Sequence, residues 1–250
     1  MSGRLLVGTA GWSLPVAVQA AFPGEGTHLQ RYARRFPVAE INSSFYRPHR
    51  PATYARWASL VPEGFTFSVK IPKAITHERT LVAAADLLDA FLAGASALGD
   101  RLGALLVQLP PKLALDIASA DEFFRVLRAR YAGPVALEPR HASWFDRDAG
   151  RLLVTHRVAR VAADPARVPA ASEPGGDPGL VYYRLHGSPR TYWSAYDDAY
   201  LDALAARMRE AGRSATEVWC IFDNTASGAA AANALSLLER LGGDAAHFFG

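Results

Sequence analysis

The chain of 250 residues has one cysteine, Cys220, and only three lysines, Lys70, Lys73 and Lys112. A single cysteine excludes an intrachain disulfide and any metal or iron–sulfur site that is built on several cysteines. No apolar run approaches the roughly 20 residues of a membrane-spanning helix, and the first residues lack the pattern of a secretory signal. We therefore expect a soluble, cytoplasmic protein that does not bind membranes.

Positive charge comes almost entirely from arginine, and no dense basic block is present. The chain carries 27 Lys and Arg residues against 24 Asp and Glu residues, which gives a formal net charge of +3. This balance excludes a histone-like basic arm but leaves room for a local anion site. Half of the residues are hydrophobic, which is enough for a buried core and is not typical of disorder.

Short β-rich segments alternate with longer helical segments from end to end, which is typical of a parallel α/β domain. The eight predicted strands are Leu5–Gly11, Val38–Phe45, Phe65–Pro72, Leu102–Pro110, Pro134–Arg140, Val158–Asp164, Leu180–Gly187 and Glu217–Asn224. The seven predicted helices are His28–Phe36, Ala52–Val61, Leu81–Leu98, Ala120–Tyr131, Asp146–His156, Asp198–Ala211 and Gly228–Leu241.

This number of elements predicts a (β/α)8 barrel of the TIM type, formed as a single domain over residues 1–250. The proline- and glycine-rich segment Pro165–Gly179 is predicted to be an irregular crossover loop between strands 6 and 7, or a lid. A doubly wound open sheet is the alternative fold. It would normally need a glycine-rich phosphate loop, which this sequence lacks.

Polar residues occupy one face of the predicted strands, mostly near the carboxyl ends. Side chains alternate between the two faces of a strand, so Lys70 shares a face with Ser68, and Arg184 shares one with His186. Buried charges must be paired or solvated, so we expect a wet pocket at the end of the barrel where barrel enzymes have their active sites. The alternative is an internal network of salt bridges without a ligand. The other residues of this polar lining are Glu40, Asn42, Gln108, Glu138, Arg140 and Asp164.

The charged residues of this lining fit two kinds of chemistry. Lys70, Arg140 and Arg184 can converge on a phosphate or carboxylate group, or each can neutralise a neighbouring carboxylate instead. Glu40 and Glu138 can form an acid/base pair, or nearby arginines can keep both of them ionised.

Histidines and aromatic residues follow several strand ends. His77, His141 and His186 could form a mixed imidazole–carboxylate metal site with residues such as Asp223, but no HxH or HExxH spacing supports it, and we expect no metal or other cofactor. The aromatic residues either stack on a planar ligand or cover the barrel. They are Trp12, Phe45, Tyr46, Trp144, Tyr192, Trp193 and Tyr196.

Seven motifs in this order resemble the YecE-like family, the family of domain of unknown function 72. They are VGTAGWS, RYARRFPVAEINSSFYRPHRPATYARW, FTFSVKIPKAITHERTL, LGALLVQLPP, VALEPRHASW, YYRLHGS and IFDNTASGAAAANA. The resemblance implies a TIM-barrel fold but no settled reaction. The Asp223-Asn224 pair departs from the usual Asn-Asn of the family and adds a negative charge near the pocket. The resemblance places at the barrel mouth Trp12, Glu40, Asn42, Phe45, Tyr46, Lys70, His77, Gln108, Glu138, Arg140, His141, Trp144, Arg184, His186, Gly187 and Asn224.

The leading hypothesis is an enzyme, such as a hydrolase or isomerase, that acts by general acid/base chemistry on a small polar ligand with a phosphate or carboxylate group. The candidate catalytic residues are Glu138, His186 and Glu40. The candidate ligand-binding residues are Trp12, Asn42, Tyr46, Lys70, His77, Gln108, Arg140, His141, Trp144, Arg184 and Asn224.

Two other functions remain open from the sequence. One is nucleic-acid binding, with or without metal-assisted phosphodiester cleavage, which predicts a basic stripe beyond the pocket. The other is a protein that binds a ligand without transforming it. The sequence does not indicate the substrate or the oligomeric state.

Overall fold

The computed structural model describes residues 3–242, so both ends of the predicted domain 1–250 lie outside the described residues. One sheet of ten strands forms the centre of the described region. The strands are β1 (Arg4–Ala10), β2 (Val38–Ile41), β3 (Thr66–Lys70), β4 (Leu102–Gln108), β5 (Val135–Glu138), β6 (Val158–Arg160), β7 (Ala162–Asp164), β8 (Gly175–Gly176), β9 (Leu180–Leu185) and β10 (Glu217–Phe222).

Seven α-helices follow these strands within the same residues, and each overlaps a predicted helix with bounds that differ by up to four residues. Three of them begin at an aspartate cap: the side chains of Asp116, Asp146 and Asp197 each accept a hydrogen bond from the backbone N–H three residues further on. None of these helices is long and apolar enough to cross a bilayer. The helices are α1 (His28–Ala33), α2 (Pro51–Ser59), α3 (Ala85–Ala95), α4 (Ile117–Arg128), α5 (Arg147–Thr155), α6 (Asp198–Ala211) and α7 (Ala229–Arg240).

The sheet rolls up into a nearly closed barrel. Its strand order is β7-β9-β10-β1-β2-β3-β4-β5-β6-β8, and every neighbouring pair except β6 and β8 is parallel. The carboxyl ends of the parallel strands therefore face the same end of the barrel, which we call the mouth. The predicted α/β barrel architecture is confirmed at this level.

The strand count differs from the predicted eight because the sixth predicted strand is divided. Its first half, β6, pairs with β5, and its second half, β7, pairs with β9. Strands in a barrel are tilted and staggered, so the two ends of a short strand can pair with different neighbours. The predicted crossover Pro165–Gly179 also contains the short strand β8, which pairs antiparallel with β6.

Side chains on the two opposite faces of the strands form two separate apolar layers, as their alternation predicts. Phe67 and Val69 of β3 pack outward in the layer beneath the helices, whereas Ser68 and Lys70 point to the opposite side. A second, smaller layer fills the inside of the barrel. Its buried members are Leu6, Val38, Ala104, Leu106, Ala136, Ala159, Val161, Leu180, Tyr182, Trp219 and Ile221.

Gly103 of β4 makes room for the largest side chain of this inner layer. A Cβ atom at Gly103 would lie 2.8 Å from a ring carbon of Trp219 and 2.9 Å from the Cβ atom of Thr66. The Trp219 ring has little freedom to move, since it stacks on Tyr182 at 5.9 Å and its indole N–H donates to Glu217 at 2.9 Å. Glycine at this position is therefore a packing requirement.

We expect Gly103→Ala to lower the free energy of unfolding by about 1–3 kcal/mol, because the added methyl group overpacks the barrel interior. The matched control is Gly150→Ala inside α5, where a Cβ atom meets nothing within 4 Å. This second substitution should stabilise the protein by about 0.5–1 kcal/mol, since alanine favours the helix. Chemical denaturation of both variants measures the difference. Equal effects of the two substitutions would contradict the packing argument.

Candidate functional site

Arg184 of β9 lies at the centre of the charged residues at the mouth and has no solvent exposure. Its Nε and Nη2 atoms form a two-pronged pair with Glu40, at 3.0 and 2.8 Å. Nη1 donates to Glu138 at 3.0 Å, and Nη2 also lies 2.9 Å from Asp223. One guanidinium thus joins three carboxylates that come from different strands. We call Glu40, Glu138, Arg184, His186 and Asp223 the mouth cluster.

Tyr182, two residues before Arg184, supports the mouth cluster from below. Its hydroxyl lies 3.1 Å from Glu40 Oε2 and 3.0 Å from Ser68 Oγ. Burial and the neighbouring Glu40 carboxylate raise the pKa of Tyr182 well above its usual value, so its hydroxyl stays protonated and can donate. Glu40 is therefore held by Arg184 on one side and by Tyr182 on the other.

His186 lies between two carboxylates. Its Nε2 atom is 2.9 Å from Glu138, and its Nδ1 atom is 3.1 Å from Asp223. Burial alone would lower the pKa of His186, but Glu138 and Asp223 outweigh burial and raise the pKa above its ordinary value. In the protonated imidazole both nitrogens donate, which matches two carboxylate partners.

Both of these carboxylates stay ionised. Burial acts to raise the pKa of Glu138, yet His186 and Arg184 hold it well below its usual range. The pKa of Asp223 is lowered too, with Arg184 and His186 again acting against burial. The mouth cluster is therefore a set of paired ions, which is the condition under which buried charges are tolerated.

Two further cations, Arg140 and Lys70, lie above the mouth cluster. Arg140 lies 3.2 Å from Glu138, and its side chain is 16% exposed, whereas that of Arg184 is fully buried. Lys70 ends β3 with its Nζ atom 4.1 Å above the centre of the Phe45 ring. When His186 and Lys70 are both protonated, the four cationic groups exceed the three carboxylates by one positive charge.

Three more predicted residues lie at the same mouth. Asn42 donates to Asp223 at 3.5 Å, and the buried Oδ1 atom of Asn42 has no hydrogen-bond partner. Gln108 is buried and stands opposite Glu138 in the parallel ladder. His77 lies on a π-helical turn, Ala74–Glu78, that follows β3, and burial together with Lys70 and Arg140 lowers its pKa.

A cavity of about 150 Å³ opens beside these residues. Its walls are formed by Glu138, Arg140 and His186 on one side and by Pro165 and Arg167 of the crossover segment on the other. The crossover segment thus lines the pocket. The cavity has room for a small ligand only.

A larger cavity of about 490 Å³ lies at the opposite end of the barrel, against Thr66, Gly103 and Glu217. Two of the charged groups there have structural partners. Arg128 donates to the backbone carbonyls of His156 and Gly133, at 2.7 and 2.6 Å, and Glu217 pairs with Arg4. We therefore place the candidate functional site at the mouth.

Two aromatic residues of the predicted ligand-binding set, Trp12 and Trp144, make packing contacts within the protein. The Trp12 ring packs edge-on against Trp57 at 5.1 Å and against Phe67, which belongs to the outer layer. Trp144 is 1% exposed and donates its indole N–H to the carbonyl of Leu113 at 3.0 Å. Both residues therefore support the loops around the mouth.

Three other predicted ligand-binding residues lie outside the mouth cluster. His141 caps the short helix Ala142–Phe145, and its Nδ1 atom lies 2.9 Å from Ser143 Oγ. Tyr46 is 74% exposed. Asn224 donates to Asn233 and to the carbonyl of Ser194, both at 3.0 Å, so it fastens the chain beside α7.

Asp223 belongs to the mouth cluster and Tyr182 touches it, yet neither is among the predicted site residues. Strand parity was the signal that could have found them. Trp219 and Ile221 of β10 point into the barrel, so the next residue of that parity is Asp223 and not Asn224. Tyr182 likewise lies two residues before Arg184 on β9, so both side chains point to the same face of the strand.

Tyr192 is another residue that sequence reasoning assigned only to the aromatic rim. Its ring packs edge-on against the His186 ring at 5.5 Å, and Tyr192 contributes to the raised pKa of Arg140. Its backbone is left-handed, with φ of 66°, which is uncommon for a residue other than glycine. Strained residues of this kind are often found at functional sites.

Within residues 3–242, no group of three or more His, Cys, Asp or Glu side chains is arranged to hold a metal ion. The imidazole and carboxylates of the mouth cluster instead satisfy one another and Arg184. The metal-assisted hypothesis therefore finds no ligand set in this part of the chain.

The fold and the site together define an α/β barrel protein with a buried, charge-paired mouth. The family model described as "Protein of unknown function DUF72" matches residues 6–248, and the chain belongs to this family. The resemblance to the YecE-like family is thereby confirmed.

Relatives and solved structures agree with this assignment. The UPF0759 protein YecE of Escherichia coli is 29% identical over 67% of this chain, and the match spans 61% of that protein's length. The UPF0759 protein YunF of Bacillus subtilis is 23% identical over 95% of this chain and 94% of its own. A DUF72 family protein of Enterococcus faecalis has a TM-score of 0.80 at 22% identity, with 96% of each chain covered. One from Thermotoga maritima has a TM-score of 0.78 at 24% identity, with 96% of this chain and 100% of its own covered. These structures share the fold.

We expect Glu40→Gln to destabilise the protein by about 3–5 kcal/mol, because it leaves the buried Arg184 guanidinium with an incomplete set of carboxylates. The control is Asp89→Asn, which removes the exposed partner of Arg130 at 2.7 Å and should leave the thermal midpoint unchanged. Thermal or chemical denaturation tests both variants. A small loss at Glu40 would show that the pair is not needed for stability.

A titration of His186 followed by NMR should give a pKa above the ordinary value of about 6.5. Since the folded-state pKa is raised, the stabilisation from protonating His186 is fully present below the unfolded pKa and is lost as pH rises through the folded value. Asp223→Asn should move the pKa of His186 downward, whereas Asp177→Asn at the opposite end of the barrel should not. An unchanged His186 titration in Asp223→Asn would contradict the proposed charge pairing.

Proposed function

We propose that this chain is an enzyme that binds a small polar ligand through a phosphate or carboxylate group at the mouth and acts on it by general acid/base chemistry. One observation carries the proposal: Arg140 retains exposed surface, and the buried Lys70 adds a second cation, above a mouth cluster whose own charges are already paired. In this proposal β6 and β7 form one interrupted strand of a (β/α)8 ring, and the protein works in the cytoplasm.

The anion-binding role falls to Arg140 and Lys70 and not to Arg184. Arg184 has no exposed surface, and its guanidinium N–H groups are paired with Glu40, Glu138 and Asp223. Arg140 lines the cavity and shares only one oxygen of Glu138, so part of its guanidinium fork is available for a ligand. Lys70, whose Nζ atom lies over the Phe45 ring, adds a second positive charge at the mouth.

The acid/base role fits His186 and Glu138, which line the same cavity. His186 is held as a proton donor between two carboxylates, and Glu138 stays ionised beside it. A ligand anchored by Arg140 would therefore meet a proton donor and a proton acceptor within one small cavity. Glu40 is enclosed by Arg184 and Tyr182, which supports a positioning role.

The nucleic-acid hypothesis has less support. A nucleic-acid surface needs unpaired cations in a stripe. Arg125, Arg130 and Arg240, for example, form surface pairs with carboxylates at 2.6 to 2.7 Å. The remaining hypothesis, binding without catalysis, differs from the proposal only in turnover.

We expect inorganic phosphate and glycolate to raise the thermal midpoint of the wild-type protein, because a ligand that binds the folded state stabilises it. Arg140→Ala should weaken this binding about 10- to 100-fold, the loss expected for one charge-assisted contact of about 1.5–3 kcal/mol. Thermal-shift titrations give both affinities, with sodium chloride at equal ionic strength as the control for screening.

The matched control variant is Arg213→Ala, which removes an arginine that is 78% exposed and paired with Glu210 on the protein surface. It should titrate like the wild type. No stabilisation by either anion, or equal stabilisation in Arg140→Ala, would rule out an anion site at the mouth. Strong, salt-dependent binding of an oligonucleotide would favour the nucleic-acid hypothesis instead.

A further inference from the structure

We infer that Lys70 is the nucleophile of this site, and that it forms an imine with a small aldehyde or ketone that carries an anionic group. The inference rests on the proposed function and specifies its substrate class. It assigns Lys70 a covalent role, in place of a purely electrostatic one.

The surroundings of the Lys70 amine are those of a reactive lysine and not of an ion pair. Nζ lies over the Phe45 ring, and within residues 3–242 Lys70 forms no salt bridge with any carboxylate. Its side chain is buried, with 6% of the residue exposed. By comparison, Lys73 is half-exposed and pairs with Glu78 at 3.1 Å. An amine in a desolvated place beside another cation is activated as a nucleophile.

The charged groups around Lys70 come from β2, β5, β9 and the end of β10. Burial and the Arg184 guanidinium of β9 lower the pKa of Lys70 to about 8, against the opposing effects of Glu40, Glu138 and Asp223. His77 also faces Lys70 from the π-helical turn, and its own pKa is lowered, in part by Lys70. About a tenth of the amine is therefore free at pH 7, whereas an ordinary lysine is almost fully protonated.

The backbone holds this amine in place. The Ser44 hydroxyl donates to the carbonyl oxygen of Lys70 at 2.6 Å and lies 2.9 Å from the carbonyl of Ile41. Phe45, the next residue, follows in the short helix Ser43–Phe45 and covers the amine. The loop after β2 thus fixes both the end of β3 and the ring against which Nζ packs.

The covalent step balances without any further reactant. The lone pair of neutral Nζ attacks the carbonyl carbon, the C=O π electrons move to oxygen, and a proton passes from the nitrogen to that oxygen to give a neutral carbinolamine. A second proton transfer to the same oxygen releases water, and the nitrogen lone pair forms the C=N bond of a protonated imine. His186 is the proton donor that the site offers, with Glu138 as its partner. Arg140 would hold the anionic group of the substrate.

The test is reductive trapping on the wild-type chain with glyoxylate and sodium cyanoborohydride at pH 7. Because the chain contains only Lys70, Lys73 and Lys112, peptide mass spectrometry resolves every lysine. We expect Lys70 to be alkylated at least about tenfold faster than the other two lysines, given its larger fraction of free amine. The rate at Lys70 should rise with pH through about 8, the pKa of its amine.

Formaldehyde, which has no anionic group, separates this inference from the proposed function. Arg140→Ala should slow trapping by glyoxylate at Lys70 but not trapping by formaldehyde, and Lys73→Arg should change neither. If Lys70 reacts no faster than Lys73 and Lys112 with both aldehydes while phosphate still stabilises the protein, the nucleophile is wrong and the anion site stands. If Lys70 reacts fast with both aldehydes and Arg140→Ala has no effect, the nucleophile stands and the anion site is wrong.

Discussion

The barrel mouth depends on one interaction, the pairing of the fully buried Arg184 guanidinium with three carboxylates. A guanidinium cannot lose its charge in a protein, so burying it requires that acceptors surround it. Glu40 lies on β2 and Glu138 on β5, and neither of these strands pairs with β9 in the sheet. The arginine therefore joins distant parts of the sheet across the barrel interior. A shift of one residue in any of these strands would turn its charge to the apolar layer under the helices.

Most of the fold could be predicted from the sequence because apolar periodicity and strand parity report directly on burial. The alternation in β3 and β9 placed Lys70, Arg184 and His186 inside, and each lies at the mouth. The division of the sixth strand could not be predicted in this way. Residues Val158–Asp164 form a continuous β-like run, and what interrupts the strand is the stagger of its two neighbours, β5 and β9.

The candidate site was harder to predict, since the same residue type near a strand end has different uses. Arg140 and Arg184 both point into the barrel near the end of a strand. Arg140 is nevertheless partly exposed, whereas Arg184 is enclosed by carboxylates. Aromatic residues pose the same difficulty: Trp144 is a core side chain, whereas Tyr192 contacts His186. Depth along the barrel axis decides each case, and depth depends on the register between strands.

Asp223 explains how a mouth that holds Arg140, Arg184 and Lys70 avoids a large excess of positive charge. The family resemblance suggests asparagine at this position, which would remove one carboxylate from both Arg184 and His186. With aspartate, the protonated state of His186 is favoured and the charges inside the mouth cluster nearly cancel. In the proposed function, attraction for an anion comes from Arg140 and Lys70, and not from the buried Arg184. The buried ions would then set the protonation states of the site, and the partly exposed Arg140 would set what it can bind.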